Sequence, residues 1–410
     1  MSPELEALVR AEMGAGPIEV HDAAEGLPLT VCGFGADEVL GALDSLMSTH
    51  VTMGAKTAAF ERAWAAYCGQ RHGVMVNSGS SANLLMLAAL VENGHLRPGD
   101  EVIVPAVAWS TSLFPITQAG LVPVVVDVDP ATLNLDVDAA LRAVGPRTRA
   151  VLAVHLLGCP SPLARLREAG LLVLEDACGA HGASVEGKRV GGHGTAATFS
   201  FFYSHHLTTI EGGMVLTSDD ALADTLRSLR AHGWVRERTD RAALAAASPE
   251  IDARFLFVSA GYNLRPTEVQ AAFGLAQLPR LDPWVARRRA NHADWCARLA
   301  DMPGITVFPE PAGSVHAGFA FPFLVEGDRA AVMAHLEAQR IATRPISGSN
   351  LARQPAFRHL NGRIHGALAV ADRVHTNGIF VGNSQAFSAA HGALLARALS
   401  TAPRSVRSPL

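Results

Sequence analysis

GVMVNSGSSANLLMLAALVENGHLRPGDEVIVP, residues 73–105, is the stretch on which the fold turns. It opens on a β-rich apolar run ending at Asn77 and turns through Ser78, Gly79, Ser80 and Ser81. SSANLLMLAALVE then carries apolar residues at helical spacing, and a second apolar run, EVIVP, closes the unit. Strands that are apolar throughout, rather than alternating, belong to a parallel sheet covered on both faces. Outward from this unit the alternation continues to about residue 217. LVPVVVD, AVLAVHLL, LLVLED, TFSFF and MVLTS read as further strands, and LDVDAALRAV and LADTLRSLRAHG as helices. The pattern predicts an α/β protein with a mostly parallel central sheet.

Beyond Pro266 the character changes. TEVQAAFGLAQL and WVARRRANHADWCARLA are helical stretches leading away from the sheet. A second unit follows from near Gly304, with strands in GITVF and FAFPFLV and helices in AAVMAHLEAQ and SAAHGALLARAL. The expected division is an N-terminal segment 1–35, a large domain 36–290 and a smaller C-terminal α/β domain 291–410, with the crossover between 285 and 305. The closing TAPRSVRSPL reads as a mobile tail.

Composition narrows the function classes. A chain of 410 residues that is 49% hydrophobic can bury a large core, and a net charge of -4 offers no long-range attraction for nucleic acid or anionic lipid. No apolar run reaches the roughly 20 residues needed to cross a bilayer. The amphipathic start MSPELEALVRAEMG is not signal-like, so a cytoplasmic protein is expected. Cys32, Cys68, Cys159, Cys178 and Cys296 show no CxxC spacing, which favours free thiols over a disulfide frame or a metal site. Lysine occurs only at Lys56 and Lys188.

Three segments carry candidate chemistry. In NSGSSAN, free backbone N–H groups and hydroxyls at a helix start suit a phosphate, and equally suit a plain serine cap. In VLEDACGAHG, Asp176 stands at the carboxyl end of a strand, where α/β sheets place ligands, with Glu175 facing the other way. A buried carboxylate there needs a cation such as a protonated pyridine nitrogen, unless it merely caps the following turn. In SFFYSHHLTTIEGG, neighbouring side chains of an extended segment point to opposite faces, so only one of His205 and His206 should face a site and no shared metal is expected. An imidazole suits proton transfer at neutral pH, although a lone histidine is more commonly structural. GASVEGKR at 182–189 has phosphate-loop spacing but Arg189 where a Ser or Thr is required, and reads as a turn. GFGADEV at 33–39 lacks the third glycine of a dinucleotide fingerprint.

Taken in order, TMGAKTAAFE, NSGSSAN, VPAVAWST, LEDACGA, SFFYSHH with EGG, AHGWVR, GYNLRPTEVQAAFG and RPIS resemble the DegT/DnrJ/EryC1/StrS family of sugar aminotransferases, from about residue 30 to 400. The resemblance implies the aspartate-aminotransferase fold, fold type I of the pyridoxal-phosphate enzymes. In that family the residue five places after the serine of the SF motif is the lysine that bonds covalently to the cofactor. Counting from Ser200, that place holds His205. The resemblance is strongest to the lysine-to-histidine branch, that of the GDP-4-keto-6-deoxy-D-mannose 3-dehydratases of colitose formation. A second dehydratase branch holds an iron–sulfur cluster on four closely spaced cysteines, a pattern these cysteines do not supply.

From the resemblance follow roles for particular residues. His205 is the catalytic proton carrier, and pyridoxal or pyridoxamine phosphate is held without a covalent bond. Asp176 meets the ring nitrogen, Trp109 stacks on the ring, and Gly79, Ser80 and Ser200 take the phosphate. Asn263 reaches the phosphate of a neighbouring subunit, implying a homodimer. The substrates implied are a nucleotide-linked 4-keto-6-deoxy sugar, which loses its C3 hydroxyl, and L-glutamate as amino donor. Arg344, in preference to Arg236, clamps the glutamate carboxylate, and His232 and Arg236 are candidates for the nucleotide diphosphate. One departure stands out: Gly179 occupies the place of a family Gln or Glu, with His181 two residues on as a possible compensation. Other pyridoxal-phosphate chemistry, such as amino transfer, oxidation or a different elimination, and a non-catalytic cofactor-binding protein are the competing readings.

Overall fold

The carboxyl ends of seven strands line one edge of a sheet, and that edge is where the chemistry-bearing segments begin. In the computed structural model, which describes residues 1–14, 16–17, 20–31 and 33–403, the strands lie side by side in a fixed order. It runs His72–Val76, Gly213–Thr217, Ala196–Ser200, Leu172–Asp176, Thr148–Val154, Glu101–Pro105, Val122–Val126 and Arg363–Ile364. All pairings are parallel except those of Gly213–Thr217, which runs against both neighbours. The apolar run MVLTS announced burial but not direction. Cys32 and the last seven residues of the expected mobile tail, 404–410, lie outside the described residues.

Burial on both faces explains the strand composition. Val74, Val76, Val102, Val104, Leu152 and Leu174 pack with the helix Gly79–Glu92 in one core. Ile103, Val124, Val126, Val151 and Val173 pack with the helix Val137–Ala143 in another. The helix Ala55–Cys68 covers the antiparallel end with Phe60 and Trp64, both fully buried.

A four-stranded antiparallel sheet forms the second unit, in the order Ile305–Val307, Ala320–Val325, Gly378–Gly382, Thr343–Pro345. Its core gathers Trp295, Phe321, Phe323, Leu336 and Leu395 with Leu27 from the N-terminal segment, which pairs with Ile341. The boundary expected after residue 290 falls inside one continuous helix, Leu281–Leu299. Leu281 and Val285 pack with the large sheet's core, whereas Trp295, Cys296 and Leu299 pack with the smaller one. Residues 182–189 form a tight hairpin, Ser184–Val185 paired with Lys188–Arg189, as a turn reading requires. Cys68, Cys159, Cys178 and Cys296 are free thiols. Among the described residues no helix is long and apolar enough to cross a membrane.

Candidate active site

Because parallel strands end on the same edge, Ser78–Ser81, Trp109, Asp176 and the segment after Ser200 converge. Ser78 caps the helix Gly79–Glu92, its hydroxyl accepting from Ser81 N at 3.1 Å. Gly79 is pressed on Ser200: a Cβ there would lie 2.5 Å from Ser200 Cβ, so only glycine lets the helix start reach the neighbouring strand. Gly213 of the EGG motif is held likewise, with 2.3 Å between its virtual Cβ and the carbonyl oxygen of Ser78. The result is an unencumbered helix N-terminus, flanked by the hydroxyls of Ser80 and Ser200, that suits a phosphate. Ser80 Oγ donates to Thr111 Oγ1 at 2.9 Å, tying the cradle to the helix that follows Trp109.

Asp176 is almost fully buried at the centre of this edge. Its Oδ2 accepts from Ser112 Oγ at 2.7 Å and from Asn83 Nδ2 at 2.9 Å, and its Oδ1 from the backbone N of Cys178 at 3.2 Å. Asn83 is aimed by Thr198, whose hydroxyl donates to its Oδ1 at 2.7 Å. All these donors are neutral, and among the described residues no cation pairs with this carboxylate. Such a site accepts a protonated ring nitrogen, which supplies the missing positive charge. Trp109, at the start of the helix Ser110–Gln118, is 62% exposed, an indole presented to the open side.

Residues after Ser200 form successive turns rather than an extended strand. The alternation expected for His205 and His206 therefore fails: both rings lie against Phe319, at 5.0 and 5.7 Å between centroids, and both lie near His181. His206 is buried, with Nε2 3.1 Å from the carbonyl oxygen of Ala317, and His205 alone is half-buried. Of the two ring nitrogens of His205, Nδ1 is sealed off without a partner, leaving Nε2 as the one that faces the open side. Burial pushes the His205 imidazole down to about 4, with the Arg288 guanidinium adding to the effect and Asp176 and the Phe202 backbone carbonyl opposing it. It is thus a neutral base at physiological pH.

The two lysines are committed elsewhere. Lys56 Nζ donates to Asp44 Oδ2 and Ser45 Oγ, each at 2.7 Å, and Lys188 Nζ to the carbonyl oxygen of Gly192 at 3.1 Å.

The remaining sequence candidates lie outside this buried cluster. Asn263 is exposed, its Oδ1 accepting from Arg265 at 2.9 Å, and it pairs through the backbone with Ala231 beside exposed His232. Arg236 is exposed over the Trp234 ring, and Arg344 is exposed with Nη1 donating to Thr343 O at 2.7 Å. The backbone still stitches their segments to the site. Asn77 N donates to Leu264 O at 3.0 Å, and Gly348 N donates to Ala108 O at 3.0 Å.

Asn83, Ser112 and Phe319 belong to the site but were not singled out by the sequence reading. Asn83 stood inside NSGSSAN, so motif membership was an available signal for it, and Ser112 directly follows VPAVAWST, so adjacency to a motif was one for it. Phe319 had none, since it arrives from the second unit. Its ring lies 3.8 Å from where a Gly179 Cβ would stand, against the place of the family's Gln or Glu. Among the described residues no group of three His, Cys, Asp or Glu side chains is arranged to hold a metal.

The fold and this edge define a fold-type-I pyridoxal-phosphate protein of the sugar-modifying kind. The chain belongs to the DegT/DnrJ/EryC1/StrS aminotransferase family, whose model matches residues 35–398. It is 37% identical over 362 residues, 85% of this chain and 92% of the relative, to GDP-4-keto-6-deoxy-D-mannose 3-dehydratase of Yersinia pseudotuberculosis. With dTDP-4-dehydro-2,6-dideoxy-D-glucose 3-dehydratase of Saccharopolyspora spinosa it shares 35% over 368 residues, 84% of this chain and 80% of the relative. A crystal structure of GDP-4-keto-6-deoxymannose-3-dehydratase with a trapped PLP-glutamate geminal diamine superposes with a TM-score of 0.84 at 33% identity, covering 91% of this chain and 100% of that one.

Proposed function

We propose that this protein is a pyridoxal/pyridoxamine-phosphate-dependent nucleotide-sugar 3-dehydratase, acting on a 4-keto-6-deoxy sugar with L-glutamate as the amino donor. The observation that carries the reading is the half-buried, neutral His205 imidazole beside Asp176, at the family's lysine position, with both lysines of the chain bonded elsewhere. The similarity to two 3-dehydratases acting on differently linked sugars supports the reaction class while leaving the nucleotide open.

When bound, pyridoxamine phosphate supplies the amine that condenses with the sugar's C4 ketone and the ring that stores the displaced electrons. The protein's part is holding and proton transfer. Asp176 fixes the ring nitrogen, Gly79, Ser80 and Ser200 hold the phosphate, and Trp109 covers a ring face. His205 Nε2 takes a proton on the cofactor side and returns it to the departing C3 oxygen, so that one imidazole serves as base and then acid. The C3–O bond breaks, oxygen leaves as water, and hydrogen takes its place. The two electrons come from glutamate, which leaves as 2-oxoglutarate and ammonia. Lacking a primary amine, His205 forms no stable bond to the cofactor aldehyde, which favours elimination over completed amino transfer.

Arg344 is the preferred clamp for the glutamate carboxylate, and His232 and Arg236 are assigned to the nucleotide diphosphate. A cytoplasmic homodimer completes the proposal, Asn263 reaching the neighbouring subunit's phosphate. Phe255 and Phe257, 64% and 52% exposed beside Trp234, support an association surface. Incubation with glutamate, pyridoxal phosphate and a panel of 4-keto-6-deoxy nucleotide sugars tests the reading by mass. One sugar should become lighter by a single oxygen atom as ammonia appears; only unchanged or aminated sugars would overturn it.

A further inference from the structure

On the inner side of the site two buried histidine nitrogens, one on His205 and one on His181, have no hydrogen-bond partner. His181, fully buried on the loop after Asp176, has its Nε2 2.9 Å from the carbonyl oxygen of Ser200. A carbonyl only accepts, so the ring proton sits on Nε2 and Nδ1 of the neutral ring is a bare lone pair. That Nδ1 is sealed from solvent and meets no donor. Trp64 and Phe201, at 5.1 and 5.4 Å between centroids, wall the ring in. The Nδ1 of His205 is sealed in the same way, and the two rings stand 5.9 Å apart, tilted by 39°.

Function adds a constraint. To take a proton through its outward Nε2, His205 must carry its own proton on the inward Nδ1, and a buried N–H needs an acceptor. In histidine bases of the triad type a carboxylate fills that role. Here, among the described residues, no carboxylate hydrogen-bonds His205, and Asp176 is engaged by Ser112, Asn83 and Cys178. We propose that His181 is the acceptor: a positioning residue whose Nδ1 receives the Nδ1 proton of His205, after a small ring rotation or through one bridging water, and so holds His205 in the tautomer that leaves Nε2 free.

The groups facing His205 are Asp176 from the strand end, Arg288 from the helix Leu281–Leu299, His181 and His206. Asp176 and the backbone carbonyl of Phe202 favour the charged ring and Arg288 opposes it. Burial holds His181 and His206 neutral, well below the usual histidine range. His206 also has an orphaned Nδ1. The ring contacts of His205 among the described residues are nonetheless with His181, Phe202 and Phe319, not with His206. The proposal rests on His205 being the proton carrier of the dehydratase reading, yet its primary readout needs no turnover.

Cofactor-loaded protein labelled with ring-15N histidine is examined by long-range 1H–15N NMR, the His205 signals being assigned with His205→Asn. The wild type should show His205 as the Nδ1–H tautomer, His181→Leu should move it to Nε2–H, and His206→Leu should leave it unchanged. With the sugar substrate, His181→Leu should lower kcat about ten- to a hundredfold with little change in KM. His181→Asn, whose Oδ1 stands near the lost Nδ1, should restore most of it. An Nε2–H tautomer in the wild type overturns the proposal even if the leucine variant does not fold, as does a tautomer that responds to His206→Leu and not to His181→Leu, or an Nδ1–H tautomer that persists in His181→Leu and so leaves the Phe202 carbonyl as the acceptor. If no sugar is dehydrated, the functional reading falls while the NMR result still decides the pairing.

Discussion

Glu175 and Asp176 are adjacent carboxylates on one strand, and both are buried, yet they do opposite things. Glu175 faces the covered side, where it accepts from His155 Nε2 at 3.0 Å and from the backbone N of Gly191, His193 and Gly194 at 2.8, 2.8 and 2.7 Å. Those bonds outweigh its burial and hold its carboxyl below the usual range. Asp176 faces the strand-end edge with three neutral donors and, among the described residues, no cation paired to it. A buried carboxylate with a full complement of protein partners is architecture, whereas one short of positive charge is prepared for a ligand that brings it.

That contrast is open to attack from several sides. The largest effect is expected at the residue Asp176 accompanies: His205→Asn should cut sugar deoxygenation about a thousandfold while cofactor still binds, read by product mass and by the cofactor's absorbance. Asp176→Asn should weaken cofactor binding about ten- to a hundredfold and leave the melting temperature of the cofactor-free protein unchanged. Glu175→Gln should do the reverse, costing about 3 kcal/mol of stability in denaturant titrations with cofactor affinity preserved in what remains folded. If both variants lose stability equally, the distinction between the two carboxylates is wrong.

A smaller effect concerns pH. His181, His205, His206, His292 and His316 are all held below the ordinary value of 6.5, chiefly by burial, His205 and His292 to about 4. Below 6.5 the unfolded chain binds protons that the folded one refuses, so stability is complete above that value and falls as pH drops toward 4. Melting at pH 5 should come well below melting at pH 7.5, and a flat profile would contradict these burials. The smallest effect is at the rim, where Arg344→Gln should raise KM for glutamate a few-fold and leave the sugar's unchanged.

Much of the fold was legible because the sheet is buried on both faces. Apolar runs bounded by turn residues marked all seven long strands, and the order of strand and helix dictated parallel pairing. Direction was not legible for Gly213–Thr217, since an antiparallel strand in the middle of such a sheet has the same composition as its neighbours. Thr343–Pro345 and Gly378–Gly382 went unread because they are short and the first carries an arginine and a proline. The helix Ala55–Cys68 is largely alanine, and periodicity of large apolar residues barely registers there. At the site, Asp176 and the NSGSSAN turn were readable from their places at strand ends. The bonds of Asn83 and Ser112 to Asp176, and the arrival of Phe319 beside Gly179, are tertiary events without a local signal. His205 and His206 were misjudged in one respect: the segment was read as extended, and the turns after Ser200 put both rings on the same side.

The central claim is that an imidazole stands where the family's covalent amine stands, and borohydride trapping tests it most directly. Cofactor-loaded wild type and His205→Lys are treated with borohydride and their intact masses measured. The wild type should gain no mass, and His205→Lys should gain one reduced pyridoxyl group at residue 205. An adduct on the wild type through Lys56 or Lys188, or none on His205→Lys despite bound cofactor, would contradict the account.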